Sequence, residues 1–124
     1  MNTLRKITQT PVVAAAVLGL CVSMTTASPA AASKSQCPSG RMCIWTQSNY
    51  TGAIEIFSST GSYLGIDLST ARSAYNNRSK RTYLNRYSDG SGSYSCFGPG
   101  DSDSALTNWQ LSAEAVYLST YTNC

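Results

Sequence analysis

The chain has 124 residues, with 9 Lys and Arg against 6 Asp and Glu and no histidine. Without an imidazole there is no Ser-His or Cys-His nucleophilic pair and no ordinary zinc ligand set, which removes the common hydrolase chemistries at the outset. Only 12% of the residues are charged, and the wealth of Ser, Thr, Gly, Asn and Tyr speaks for short strands and turns rather than long helices.

Residues 1–32 read as a secretory signal peptide. Arg5 and Lys6 precede an apolar run from Pro11 to Val22, and small residues lead to an Ala-x-Ala cleavage site after Ala32. The run is too short for a transmembrane anchor. Cys21 does not make a lipoprotein signal, because Leu20 before it is not small. Cleavage removes two of the nine basic residues and none of the six acids, so the remaining domain, 33–124, carries a formal charge of +1. A nucleic-acid partner is therefore not expected, and the local run Arg78-Ser79-Lys80-Arg81 reads as a solvated turn. The protein is expected outside the cell, as a monomer free of the membrane.

Cys37, Cys43, Cys96 and Cys124 stay in the domain. An even count in a secreted chain implies two disulfides, with three pairings open. Cys37-Pro38-Ser39-Gly40-Arg41-Met42-Cys43 is a small loop bent by Pro and Gly, which favours Cys37–Cys43 and leaves Cys96–Cys124. In the chain-entropy picture the larger ring stabilises by about 3–4 kcal/mol and the smaller by about 2–2.5 kcal/mol.

Strand-like runs follow at Met42–Thr46, Ala53–Phe57, Ser73–Asn76, Thr82–Tyr87, Tyr94–Phe97 and Ala115–Ser119, each bounded by turn residues. Short helical turns are expected at Leu68–Arg72 and Leu111–Glu114. The first two runs are joined by Trp45-Thr46-Gln47-Ser48-Asn49-Tyr50-Thr51-Gly52. Asn49 and Gly52 form turns, and Gly52 suits a backbone with positive φ. The aromatic-x4-aromatic-x-Gly spacing resembles the folded-hairpin corner of a βγ-crystallin Greek key, with Trp45, Tyr50, Gly52 and a later serine, Ser73, as its structural residues.

The pattern then repeats. Gly52 and Gly92 are 40 residues apart, as are Phe57 and Phe97, and the segment from Leu68 to Tyr75 answers that from Leu111 to Tyr117 with one residue deleted. Two units, about 37–80 and 81–124, are what a duplicated Greek key requires, since one unit cannot bury its apolar face alone. The second corner is eroded: Tyr83, Tyr87 and Gly92 do not reproduce the first aromatic spacing. The expected fold is all-β, a sandwich of two Greek keys.

The motifs CPSGRMCIW, NYTG, ARSAYN and CFGPGD resemble those of the peptidase inhibitor family I36, small secreted βγ-crystallin-like proteins of actinomycetes. The resemblance implies inhibition of thermolysin-like zinc metalloproteases through a substrate-like loop, with a secreted zinc endopeptidase as the partner. In inhibitory relatives a cysteine of the second repeat opens the reactive loop. Here that cysteine is Cys96, and the loop is Cys96, Phe97, Gly98 and Pro99. Phe97 is the large apolar residue such proteases favour after the scissile bond. The second loop cysteine of the relatives is missing, so Cys96 must reach Cys124. The competing reading makes Cys96 a structural staple and Phe97 a core residue mirroring Phe57.

Other chemistry finds little footing. The six carboxylates, Glu55, Asp67, Asp89, Asp101, Asp103 and Glu114, have no spacing that singles out an acid–base pair. Asp89-Gly90-Ser91-Gly92 precedes no helix and is not a phosphate cradle. The calcium motif of many βγ-crystallin domains is broken in both copies: Leu68, Ser69 and Arg72 before Ser73, and Gln110, Leu111 and Glu114 before Ala115. No cofactor, catalytic residue or metal is expected. A killer-toxin-like or antimicrobial protein, and a calcium- or glycan-binding module, are the alternative functions.

Overall fold

Turn residues cut the chain into eight short strands, because each apolar or aromatic run ends within seven residues at Gly, Ser, Asn or Asp. The computed structural model describes residues 33–124; the signal segment expected at 1–32 lies outside the described residues. The strands are β1 (Arg41–Gln47), β2 (Thr51–Phe57), β3 (Tyr63–Gly65), β4 (Ser73–Asn77), β5 (Thr82–Asn85), β6 (Tyr94–Phe97), β7 (Ser102–Asp103) and β8 (Ala115–Leu118). They form two four-stranded antiparallel sheets in the orders β2-β1-β4-β7 and β3-β8-β5-β6.

The orders match when β1–β4 are set against β5–β8, and they show that each unit gives its third strand to the other. β3 pairs with β8 in the second sheet, and β7 pairs with β4 in the first. The registers carry the same relation. Met42 faces Phe57 and Asn76, while Thr82 faces Phe97 and Leu118. The exchange ties the halves together, because neither sheet is complete without a strand from the other unit. β3 and β7 are absent from the sequence reading: three and two residues beside Ser, Gly and Asp carry no period.

The helical turns also shift. Leu68–Arg72 is not helical, because Glu55 Oε1 accepts the Asp67 and Leu68 amides at 2.8 and 3.2 Å and fixes that bend from outside. The second falls at Asn108–Ser112, a 3-10 turn in which Gln110 Oε1 accepts the Thr107 amide. The Arg78–Arg81 run is not simply solvated either. The partly buried Arg78 donates to the carbonyls of Arg81 and Ser119 and to Thr82 Oγ1, closing the bend between β4 and β5.

Alternation sets the faces of the sheets. Met42, Ile44, Phe57, Ala74, Leu84, Phe97, Val116 and Leu118 point between them and form the core. On the outer face of the first sheet Cys43 and Trp45 are fully buried, because the N-terminal segment lies over them. Cys37–Cys43 staples that segment down, Trp45 Nε1 donates to Gln36 Oε1 at 3.1 Å, and Lys34 Nζ stands over the Tyr75 ring. The second disulfide joins Cys96 to Cys124.

The first corner brings Trp45, Tyr50, Gly52 and Ser73 together. The two rings pack edge to face with centroids 5.3 Å apart. Asn49 and Tyr50 both take positive φ, 58° and 59°, to turn the chain. Ser73 Oγ donates to the Gln47 carbonyl at 2.7 Å and accepts the Tyr50 amide at 3.0 Å, binding β4 to the hairpin. Gly52 has φ 83°, and a Cβ there would lie 2.3 Å from Thr46 Oγ1. In the second unit Ala115 replaces the serine, and Glu114 Oε1 accepts the Ser88 amide instead. Ser73→Ala therefore leaves two corner groups unpaired and is expected to lower unfolding free energy by about 1–3 kcal/mol in urea titration. Gly52→Ala is expected to destabilise as well, through both φ and the clash; unchanged midpoints for the two variants would contradict this account of the corner.

Candidate functional site

The loop singled out by the sequence begins on β6 and leaves the sheet as a tight turn. Cys96 is half-buried on the outer face and bonded to Cys124. Phe97 points inward and is 6% exposed, packed in the core as Phe57 is in the first unit. Gly98 is buried, and Pro99, Gly100 and Asp101 are exposed to solvent. The structure thus separates the residues that were grouped by sequence: the disulfide and Phe97 anchor the segment, and Pro99–Gly100 is its tip.

The tip is held by two residues that the sequence reading did not assign to it. Asp101 Oδ2 accepts the Gly98 amide at 2.8 Å, and the Asp101 amide donates back to the Gly98 carbonyl at 3.0 Å. Asn76, fully buried on β4, supports the turn from below. Its Nδ2 lies 2.9 Å from each of the Lys80, Phe97 and Gly98 carbonyls, and its Oδ1 accepts from Thr82 Oγ1 at 3.2 Å. Its backbone donates to the Asp101 carbonyl and accepts the Gly100 amide. The sequence carried little signal for this, because Asn76 ends a strand-like run, where an amide reads as a turn former.

Charge is sparse around the turn. Asp89, on another loop, carries a carboxyl held below its ordinary range by the Ser91 hydroxyl and amide that donate to it. Burial pulls the Arg78 guanidinium below its usual value, and that group stays committed to backbone carbonyls. Of the residues weighed for calcium, Ser73 is occupied at the corner and Glu114 by the Ser88 amide, while Arg72 is exposed.

A second feature lies on the outer face of the second sheet. Tyr63, Tyr117 and Tyr83 stand side by side across β3, β8 and β5. Tyr94 on β6 stands opposite Asn85 and packs edge to face on Tyr83, with centroids 5.4 Å apart. Tyr63, Tyr83, Asn85, Gly90 and Tyr94 enclose an open cleft of about 220 Å³.

The model of the peptidase inhibitor family I36 matches residues 30–98, more than half of the chain; the match takes in the first unit and ends at Gly98, on the threshold of the turn. Neither a curated protein nor a solved structure matches. The paired Greek keys with exchanged third strands and two disulfides agree with the βγ-crystallin-like fold that this family implies. The chain belongs to peptidase inhibitor family I36, whose members are inhibitors and not enzymes.

Proposed function

We propose that the protein is a secreted inhibitor of thermolysin-like zinc endopeptidases that offers the turn from Cys96 to Asp101 to the enzyme's cleft. Family membership supports a protease as partner, and two disulfides suit an oxidising, extracellular setting. One observation carries the choice of loop. The turn lies inside the ring closed by Cys96–Cys124, a span of 28 residues, and its backbone is fixed by Asp101 and Asn76.

That arrangement suits inhibition for two physical reasons. A turn already held in one shape loses little conformational entropy on binding, so more of the contact energy appears as affinity. Cleavage within 98–101 would also leave both new ends attached, one through Cys96 and the other through the chain to Cys124. The cut ends stay aligned and cannot leave, so resealing competes with release. The missing loop cysteine of the inhibitory relatives is thereby replaced by a wider ring.

Phe97 has a different part from the one the resemblance implied. Reaching an enzyme's apolar subsite would require its removal from the core, at a cost of about 1.5–3 kcal/mol for lost burial alone. Phe97→Ala is instead expected to cost about 3–5 kcal/mol of stability, as is Phe57→Ala, read by urea unfolding. A Phe97→Ala protein as stable as the parent yet without inhibition would return Phe97 to the recognition surface.

Asp101→Ala removes the acceptor for the Gly98 amide while leaving the core intact. Inhibition of a thermolysin-like enzyme is expected to weaken about tenfold, with faster appearance of cleavage inside 98–101 by mass spectrometry. Arg72→Ala, exposed and away from the turn, is the control and should inhibit as the parent does. A folded parent that inhibits no member of a broad metalloprotease panel would overturn the proposal.

A further inference from the structure

The two outer faces of the sandwich are built alike and finished differently. On the first sheet the N-terminal segment covers the row of Cys43 and Tyr75 and gives Trp45 a hydrogen-bond partner in Gln36. In the second sheet Asn85 takes the register position of Trp45, and Tyr83 and Tyr117 take those of Cys43 and Tyr75. The N-terminal segment does not reach this row; Arg81 stands over the Tyr83 ring instead, 5.2 Å from its centroid. The C-terminal tail meets this face beside Tyr83, where Cys124 bonds Cys96 and Arg81 stands over both the Tyr83 and the Tyr121 rings.

Asn85 adds a polar group to the tyrosine face. It is 4% exposed and lines the cleft, yet among the described residues its side chain makes one long hydrogen bond, 3.4 Å from Nδ2 to the Tyr83 carbonyl, and none through Oδ1. The unpartnered Oδ1 is not fully enclosed; among the described residues the enclosed side-chain atoms without a partner are Thr70 Oγ1 and Arg81 Nε. The counterpart Trp45 is partnered by Gln36. Gly90 shapes the same place: a Cβ there would stand 2.3 Å from Tyr63 Cζ, so the glycine lets that ring close one side of the cleft.

We infer that the cleft of Tyr63, Tyr83, Asn85, Gly90 and Tyr94 is a binding site for a neutral carbohydrate chain. The lining has aromatic faces, an amide and no charged or aliphatic side chain. A pyranose presents the matching chemistry, an apolar C–H face for stacking on a ring and a rim of hydroxyls. The Asn85 amide can both donate to and accept from such hydroxyls. The Tyr63, Tyr83 and Tyr94 hydroxyls supply further groups on the rim. Arg81 beside Tyr83 is engaged by Tyr121 and the Asn123 carbonyl and is not in the lining, so an anionic ligand finds no cation there, and an apolar peptide side chain would find the amide without a partner. The lining shares no residue with the turn at 96–101, although Tyr94 lies on the same strand, β6.

The test is NMR titration of the protein with a hexamer of β-1,4-linked N-acetylglucosamine and, separately, with cellohexaose. Saturable shifts are expected for the Asn85 side-chain amide and for the Tyr63, Tyr83 and Tyr94 rings with at least one of the two. Tyr94 is 62% exposed, so Tyr94→Ala folds and is expected to weaken binding about tenfold. Ile56→Ser, 45% exposed on the first sheet, should bind as the parent does. No shifts with either sugar at millimolar concentration, or shifts that survive Tyr94→Ala unchanged, would overturn the assignment. So would a Tyr94→Ala protein that loses protease inhibition, or a parent dimer in sedimentation that this variant dissolves, because the face would then belong to a protein partner.

Discussion

One buried amide sits where the parts of the domain meet. Asn76 belongs to the first sheet, yet its side chain reaches the carbonyl ends of β6 and the bend before β5, and accepts from Thr82 across the sandwich. A fully buried amide without partners would be costly. Here both ends are satisfied, which fixes the spacing of the two sheets at this edge. The same side chain shapes the turn above it, because two of the carbonyls it holds belong to Phe97 and Gly98. Leu118 takes the corresponding register position in the second unit and has no such polar reach. The duplicated fold therefore has one pinned turn and not two.

That asymmetry runs through the molecule. Both units have the same strand order and exchange the same strand, so the core is shared and nearly symmetric. The differences lie where each unit meets solvent. Ser73 closes the first corner and Glu114 the second. The N-terminal segment seals one outer face with a disulfide of its own, whereas the other disulfide closes a ring around a loop. A duplicated scaffold can hold its core constant while each copy's surface takes a separate task.

Much of this was legible because it is local. The corner spacing, the short cysteine loop and the offset of 40 between Phe57 and Phe97 each involve residues whose types state their own constraint. The offset also placed Phe97 correctly, as the partner of a core residue. The resemblance to reactive loops pointed the other way, because the same residue type serves both purposes. What could not be read was non-local. β3 and β7 are defined by the strands they join in the other unit. Asn76 looks like a turn former until its partners are known, and Arg78 looks like a solvated cation until the bend closes around it. The tyrosine row follows from the register of three strands that are distant in sequence.

The central claim is that a turn held rigid from within meets the protease while the core stays closed behind it. The crystal structure of the protein bound to a thermolysin-like zinc endopeptidase tests this most directly. The account predicts Pro99 and Gly100 in the enzyme's cleft, with residues 96–101 within about 1 Å of their free positions and Phe97 still packed in the core. A complex in which the enzyme contacts another surface, or in which Phe97 has left the core to fill an enzyme pocket, would contradict it.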